Sequence, residues 1–191
     1  MTDQAAAGQP DAWQISLLGA FRVRCGGALL PAAAWKRRAA KTLFKLLALR
    51  PDHSLHAEEA IELLWPEAGA DAGRNNLDRT VYYLRQTLSA YLAPGGGQAI
   101  LLHEGIIRLA PPAPPVVDAL LFEEYLRRAA AAAQPIPWLE RALALYEGPL
   151  LAEDRNEEWV FEPRERLARA RALALHRLAA AYQAAGDAQR Q

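Results

Sequence analysis

A proline-rich segment, "PPAPPVV" at residues 111–117, divides the chain into two halves of different character. Proline fixes φ near about −65° and has no backbone N–H to donate, so such a segment favours extended backbone over a helix or a sheet. Before it, the sequence alternates between the patterns of short strands and of helices, whereas after it the apolar residues recur at helical spacing. The segment is therefore predicted to link a mixed α+β domain to an all-α domain.

This division predicts four segments. Residues 1–12 are a disordered tail, residues 13–110 the first domain, residues 111–117 the linker and residues 118–191 the helical domain. A chain of 191 residues has room for two small domains, because one domain commonly has about 100–150 residues. The last helix ends in the small-residue spacing of helical-hairpin repeats, so we expect the helical domain to be truncated at Gln191.

The first domain is predicted to contain strands, three helices and a closing hairpin. Glycines break "WQISLLGAFRVRCGGALL" into two or three short strands, and "WKRRAAKTLFKLLAL" has the spacing of a helix with its basic residues on the other flank. A second helix follows "RPDHSLH", with Glu59 in the position of a capping-box acid. The third helix is "RNNLDRTVYYLRQTL", residues 74–88. The hairpin is "AILLHEGIIRLA", which turns at Glu104 and Gly105.

The third helix has two contrasting faces. Its apolar stripe consists of Leu77, Val81, Leu84 and Leu88. At about 100° per residue these four fall within roughly 60° of one another, so they must face a core. The opposite side carries residue types that hydrogen-bond base edges or phosphates, namely Asn75, Arg79, Tyr82, Tyr83 and Gln86. A solvated outer face would show the same pattern, and the helix alone leaves both interpretations open.

Positive charge is concentrated in the first helix, although the formal net charge is zero. Residues 36–50 contain six basic and no acidic side chains: Lys36, Arg37, Arg38, Lys41, Lys45 and Arg50. They either contact phosphates or form a charged face balanced by the second helix and the loop after it, whose acids are Glu58, Glu59, Glu62 and Glu67. Arg85 is predicted to pair with one of those acids. Arg108, on the second strand of the hairpin, either reaches a minor groove or is simply exposed.

Patterns that would indicate other classes of protein are missing from the sequence. No Gly-rich phosphate loop follows a strand and no Ser or Cys has the setting of a nucleophile, so no enzyme activity is predicted. One cysteine and four scattered histidines give no metal-site spacing, and we expect no metal or cofactor. Without a secretory signal or an apolar run near the roughly 18 residues of a membrane span, the protein is expected to be cytoplasmic, with no membrane contact.

The order of these motifs resembles a known family. "ELLWPE", "NNLDRTVYYLRQTL", "VDALLFEEYL" and "LALYEGPLLAE" are similar to the DNA-binding and bacterial transcriptional activator domains of bacterial activators of the antibiotic-regulatory-protein type. The first half is similar to the winged helix-turn-helix of OmpR-like response regulators. The resemblance extends from Trp13 to the end of the chain. It implies an α+β winged helix-turn-helix domain followed by an all-α tetratricopeptide-like domain.

The resemblance also implies a function, that of a sequence-specific DNA-binding transcriptional regulator. It would be an activator that binds repeats upstream of promoters and contacts RNA polymerase. Its implied recognition helix is Arg74–Leu88 and its wing is His103–Leu109. The expected partners are double-stranded DNA and RNA polymerase, and a homodimer on DNA is left open. The residues expected to bind DNA are Arg74, Asn75, Arg79, Tyr82, Tyr83, Gln86, Lys36, Arg37, Arg38, Lys41 and Arg108.

A second hypothesis fits the same residues. The chain would be a helical-repeat protein–protein interaction module that does not bind DNA, and its first domain would bind a protein through the polar face of the third helix. Salt separates the two hypotheses, because duplex binding releases counterions and weakens by about 0.9 log units in K per phosphate contact per log unit of salt.

Overall fold

A computed structural model of the protein describes residues 12–92 and 95–188. The predicted tail lies outside these ranges except for Ala12. The chain divides into two compact units. One contains the residues up to Ile15 together with Arg22–Val116, and the other contains Ser16–Phe21 together with the residues from Val117 onward.

Seven strands and six α-helices lie in the described ranges. The strands are β1 Gln14–Ser16, β2 Arg22–Cys25, β3 Ala28–Leu29, β4 Ser54–His56, β5 Ile100–His103, β6 Ile106–Leu109 and β7 Val116–Val117. The helices are α1 Arg38–Leu49, α2 Ala57–Leu64, α3 Ala70–Tyr91, α4 Asp118–Ala131, α5 Ile136–Leu145 and α6 Glu158–Ala188. One sheet has the order β3-β2-β1-β7 and the other the order β4-β6-β5. None of the described helices is both long and apolar enough to cross a membrane.

Helix α1 supplies the centre of the first unit's core. Leu43, Phe44 and Leu47 are completely buried, and the rings of Trp13 and Trp35 pack against Phe44 at centroid distances of 6.3 and 5.4 Å. Lys45 is buried as well, with 1% of its surface exposed. The prediction that the basic residues of this helix share an outer flank is therefore wrong at Lys45.

Helices α2 and α3 form the helix-turn-helix, and α3 is longer than predicted at both ends. The apolar stripe of α3 is buried along its length, as its spacing predicted. The two helices approach closely at Gly73, where a Cβ atom would lie 2.5 Å from Cγ2 of Ile61. Since real Cβ atoms do not come that close to a carbon atom, any larger residue at this position would require Ile61 or the helix packing to shift.

Strand β4 was not predicted. It is three residues long and pairs antiparallel with β6, with Leu55 opposite Ile107. Leu55 is its only buried residue, so the segment carries no alternating pattern that marks a strand. The strand exists because β6 offers a partner, and it joins the hairpin to the start of α2.

The predicted capping box at the start of α2 is wrong. His56 occupies the cap position without a side-chain hydrogen bond to the helix. The Glu59 carboxylate instead forms an ion pair with Arg50, at the end of α1. Glu59 has the spacing of a capping-box acid, but it pairs with a residue of the neighbouring helix, and the sequence around Glu59 does not indicate that partner.

The second unit consists of α4, α5, α6 and a segment from early in the chain. Ala129, Leu139 and Ala174 form a buried cluster between the three helices. Leu18 forms a β-bridge with Leu150, and the N–H of Leu151 donates to the carbonyl of Leu17 at 2.7 Å. Residues 16–21 therefore complete a unit whose other residues follow position 116, which no pattern in their sequence indicates.

The end of the predicted linker is a strand. Val116 and Val117 form β7, and the N–H of Val116 donates to the carbonyl of Trp13 at 2.7 Å. Proline fixes the extended backbone before it, and extended backbone with a free N–H can add to a sheet edge. The predicted linker is thus shorter than 111–117 at its C-terminal end.

Candidate nucleic-acid interface

The outer face of α3 is open to solvent. The residues predicted there are all exposed: Asn75, Arg79, Tyr82, Tyr83 and Gln86. Arg74, near the start of the helix, is exposed as well. Tyr82 keeps 57% of its surface exposed and Tyr83 keeps 38%. Large aromatic side chains left at a surface commonly mark a contact with another molecule.

Arg37 joins the start of α1 to this face. Its guanidinium lies over the ring of Tyr83, 4.8 Å from the ring centroid. The rings of Tyr82 and Tyr83 meet edge to face, with 5.5 Å between their centroids. Sequence reasoning placed Arg37 and Tyr83 in the same interface but did not predict this contact, because the two residues are far apart in the chain.

The basic run of residues 36–50 does not form one continuous surface. Lys36, Arg37 and Arg38 are exposed and Lys41 is half-buried, so these four lie at the start of α1 beside the Tyr83 contact. Lys45 is buried, and Arg50 is paired with Glu59. The interpretation as a balanced charge therefore holds for Arg50.

Arg85 has a structural contact, but not the predicted one. Its Nε donates to the main-chain carbonyl of Ile100 at 3.0 Å, which ties the middle of α3 to the first residue of β5. The prediction that Arg85 pairs with one of the acids in or just after α2 is wrong. A half-buried guanidinium here satisfies a carbonyl at the start of the hairpin.

The wing is the hairpin of β5 and β6. Glu104 and Gly105 form its turn with φ of 48° and 73°, the left-handed backbone that a two-residue hairpin turn requires. Arg108 lies three residues beyond, on the central strand, opposite Ser54 and Leu101. At about 3.3 Å per residue this is roughly 10 Å from the turn. The structure therefore places Arg108 away from the tip of the wing.

The charge of Arg108 also has a neighbour. A hydrogen bond from Ser54 lowers the pKa of Asp52, and the positive charge of Arg108 adds to that lowering. The Asp52 carboxylate therefore offsets part of the positive charge that Arg108 presents at the surface.

A cleft of about 420 Å³ separates the start of α3 from the wing. It is lined by His56, Ala57, Glu58, Ile61, Arg74, Leu77, Asp78, Leu102, Glu104 and Gly105. Three of these residues are acids, so Arg74 has a different electrostatic setting from Arg79 farther along α3. Sequence reasoning missed the cleft, since its walls come from β4, α2, α3, β5 and the turn of the wing. Among the described residues, no group of three or more His, Cys, Asp or Glu could hold a metal ion.

The helical half is similar to a known protein family. Residues 117–191 match the family model of the bacterial transcriptional activator domain. The second unit is therefore similar to this domain. This match covers α4, α5 and α6 but not residues 16–21, which complete the unit in the structure.

The whole described fold is similar to a solved structure, that of Mycobacterium tuberculosis EmbR in complex with a low affinity phosphopeptide. The TM-score is 0.76 at 22% sequence identity, and the similarity covers 93% of this chain and 47% of that one. This chain thus spans about half the length of that protein. No curated protein sequence matches.

The family match of residues 117–191 and the shared fold confirm two predictions. One is the resemblance to activators of the antibiotic-regulatory-protein type. The other is the architecture, a winged-helix-like α+β unit followed by a helical unit. The family that residues 117–191 match is one of transcriptional activators.

Proposed function

We propose that this chain is a sequence-specific DNA-binding transcriptional activator that reads double-stranded DNA through α3. The observation that carries the proposal is the outer face of α3, where Asn75, Arg79, Tyr82, Tyr83 and Gln86 are all exposed while the opposite stripe is buried. The helix is held by its apolar side and presents side chains suited to base edges on the other.

The dimensions of α3 suit the major groove. Its 22 residues span about 33 Å at 1.5 Å per residue, and the major groove of B-form DNA is about 12 Å wide, enough for one helix. Asn75, Arg79 and Gln86 have the side chains that make bidentate contacts, arginine with guanine and the two amides with adenine. Because they lie one or two turns apart, their contacts would advance along the groove.

Phosphate contacts would come from basic residues at the start of α1 and on the wing. Lys36, Arg37, Arg38 and Lys41 surround the start of α1, and Arg108 lies on the wing. Contacts of this kind position a protein on the duplex without reading its sequence. Arg74 would bind DNA at the first turns of the recognition face, despite the acids of the neighbouring cleft.

The similarity of residues 117–191 to the bacterial transcriptional activator domain supports the part of the proposal that concerns activation. We infer that the second unit contacts RNA polymerase when the first unit is bound to repeats upstream of a promoter, and that two copies can occupy such repeats. The protein would act in the cytoplasm, where its DNA is, and no catalytic step or cofactor is part of this function.

Selection of bound duplexes from a random library tests the proposal. We expect enrichment of a defined sequence, and an affinity for it that falls as salt rises, by about 0.9 log units per phosphate contact per log unit of salt. A library that shows no binding at low salt would overturn the proposal.

The cleft beside α3 favours a second candidate function. Glu58, Asp78 and Glu104 would repel phosphates at one edge of the proposed interface, and carboxylates beside an apolar wall are suited to a protein partner with basic side chains. In this alternative the chain is a protein interaction module without DNA binding. The same low-salt library experiment separates the two, since only the DNA-binding protein would retain duplexes.

A further inference from the structure

Arg37, Tyr83 and Tyr82 form one continuous group of stacked side chains, which we call the Arg37 stack. The guanidinium covers the ring of Tyr83 at 4.8 Å, and Tyr83 meets the edge of Tyr82 at 5.5 Å. The stack links a residue before α1 to two adjacent residues on the outer face of α3. It therefore connects the phosphate-binding side of the proposed interface to its base-reading side.

The backbone of Arg37 is fixed on both sides. Two residues earlier, the ring of Trp35 packs against the completely buried Phe44 at 5.4 Å. On the other side, the carbonyl of Arg37 accepts a hydrogen bond from the N–H of Lys41 at 3.2 Å, in the first turn of α1. The guanidinium therefore extends from a rigid support.

The tyrosines have no comparable support of their own. Within the described residues, neither the Tyr82 nor the Tyr83 hydroxyl has a hydrogen-bond partner, and both rings are substantially exposed. An exposed side chain without such contacts occupies several rotamers, and ordering it on binding weakens the complex. The contact with the Arg37 guanidinium orients Tyr83 and, through Tyr83, the ring of Tyr82.

We infer that Arg37 is a positioning residue for base reading: it holds Tyr83 and Tyr82 in the orientation in which they meet the bases, and so it sets sequence selectivity more than phosphate affinity. The inference rests on the proposed DNA binding by α3. Its chemical basis is the planar guanidinium, which stacks over an aromatic face in a way that a compact ammonium group does not.

The substitution Arg37→Lys separates the two roles, because lysine keeps the charge and loses the planar stack. We expect affinity for the selected duplex to fall roughly two- to fivefold, the equivalent of one exposed cation–π contact, while affinity for a random duplex and its salt dependence stay unchanged. Tyr83→Leu should lower selectivity in the same way. The double variant should be no worse than Tyr83→Leu alone, since both changes remove one contact.

Lys36→Gln is the matched control, because Lys36 is the exposed neighbour of Arg37 and its ammonium group is not stacked on either tyrosine ring. This variant should weaken binding to both duplexes alike, and it should reduce the slope of log K against log salt by about 0.9. Chemical shifts of the Tyr83 ring protons, measured without DNA, should change in Arg37→Lys and not in Lys36→Gln.

Two different failures can be told apart. A wild-type protein that retains no duplex contradicts the proposed function itself. If the wild type selects a sequence but Arg37→Lys binds both duplexes as the wild type does, the charge alone is what matters and the positioning role is overturned. Additive losses in the double variant would overturn it too, because Arg37 and Tyr83 would then act independently.

Discussion

The Asp118 carboxylate accepts a hydrogen bond from the main-chain N–H of Leu17 at 2.7 Å. A second bond comes from the N–H of Leu18 at 3.0 Å, and a third from the N–H of Ala119 at 2.7 Å. Leu17 and Leu18 are completely buried, so their N–H groups depend on an acceptor inside the fold. Asp118 at the start of α4 thus holds the early segment that completes the second unit.

Replacing this carboxylate should destabilise the protein strongly. In Asp118→Ala, the N–H groups of Leu17 and Leu18 lose their acceptor inside the fold, and each unsatisfied buried donor costs about 1–3 kcal/mol. We expect a loss of at least about 2 kcal/mol in the free energy of unfolding, measured by urea titration. Glu162→Ala, which removes an exposed carboxylate of the same unit, should change stability by less than about 0.5 kcal/mol. Equal effects in the two variants would contradict the role of Asp118.

The same residue should make stability depend on pH. Burial raises the pKa of Asp118, against the opposing effect of its three N–H donors. In the unfolded chain the pKa of this carboxyl is about 4, which is lower than its pKa in the folded protein. The stability that the raised pKa contributes is therefore fully present below about pH 4, and it is lost as the pH rises through the folded pKa. The stability of the wild type relative to Asp118→Asn should therefore fall from acid to neutral pH. A difference that rises over this range would contradict it.

Alanine at Gly73 should destabilise the helix-turn-helix unless Ile61 is also changed. A Cβ atom at Gly73 would meet Cγ2 of Ile61 at 2.5 Å, and overpacking of this kind costs about 1–3 kcal/mol. We expect Gly73→Ala to lower the free energy of unfolding despite the better helix propensity of alanine. Ile61→Ala removes the clashing atom, so thermal unfolding of the double variant should show a loss smaller than the sum of the single losses. Additive losses would show that the two residues do not meet.

Arg85 and its neighbour Gln86 should have opposite roles. Arg85→Met removes the hydrogen bond to the carbonyl of Ile100 while keeping the apolar stem, and we expect a loss of about 1 kcal/mol in stability. Gln86→Met should leave stability unchanged, because Gln86 is exposed. In duplex titrations the order reverses, with Gln86→Met losing sequence selectivity. Unchanged stability in Arg85→Met would show that the hydrogen bond of Arg85 to Ile100 does not stabilise the fold.

The fold could be predicted wherever the chain's own pattern determines its structure. The stripe from Leu77 to Leu88 has helical spacing, and the turn at Glu104 and Gly105 separates two apolar runs. Both patterns are local, so the burial of one face and the hairpin followed directly from them. The motifs that resemble known activators supplied the order of these elements.

What escaped prediction depends on contacts between distant residues. Strand β4 forms because it pairs with β6. Glu59 forms an ion pair with Arg50 instead of capping α2, and Arg85 donates a hydrogen bond to the carbonyl of Ile100. The contact of Arg37 with Tyr83 belongs to the same class. Each of these residues has a plausible local role, and only the tertiary structure decides between that role and a remote partner.

Arg79 offers the most direct test of DNA reading by α3. In fluorescence titrations, Arg79→Ala should weaken binding to the selected duplex by about 1–3 kcal/mol, or roughly 5- to 150-fold, and affect a random duplex far less. Arg155→Ala, which removes an exposed arginine of the second unit, should leave both affinities unchanged. If Arg79→Ala binds both duplexes as the wild type does, α3 does not lie in the interface, and the central claim of DNA recognition by this helix is contradicted.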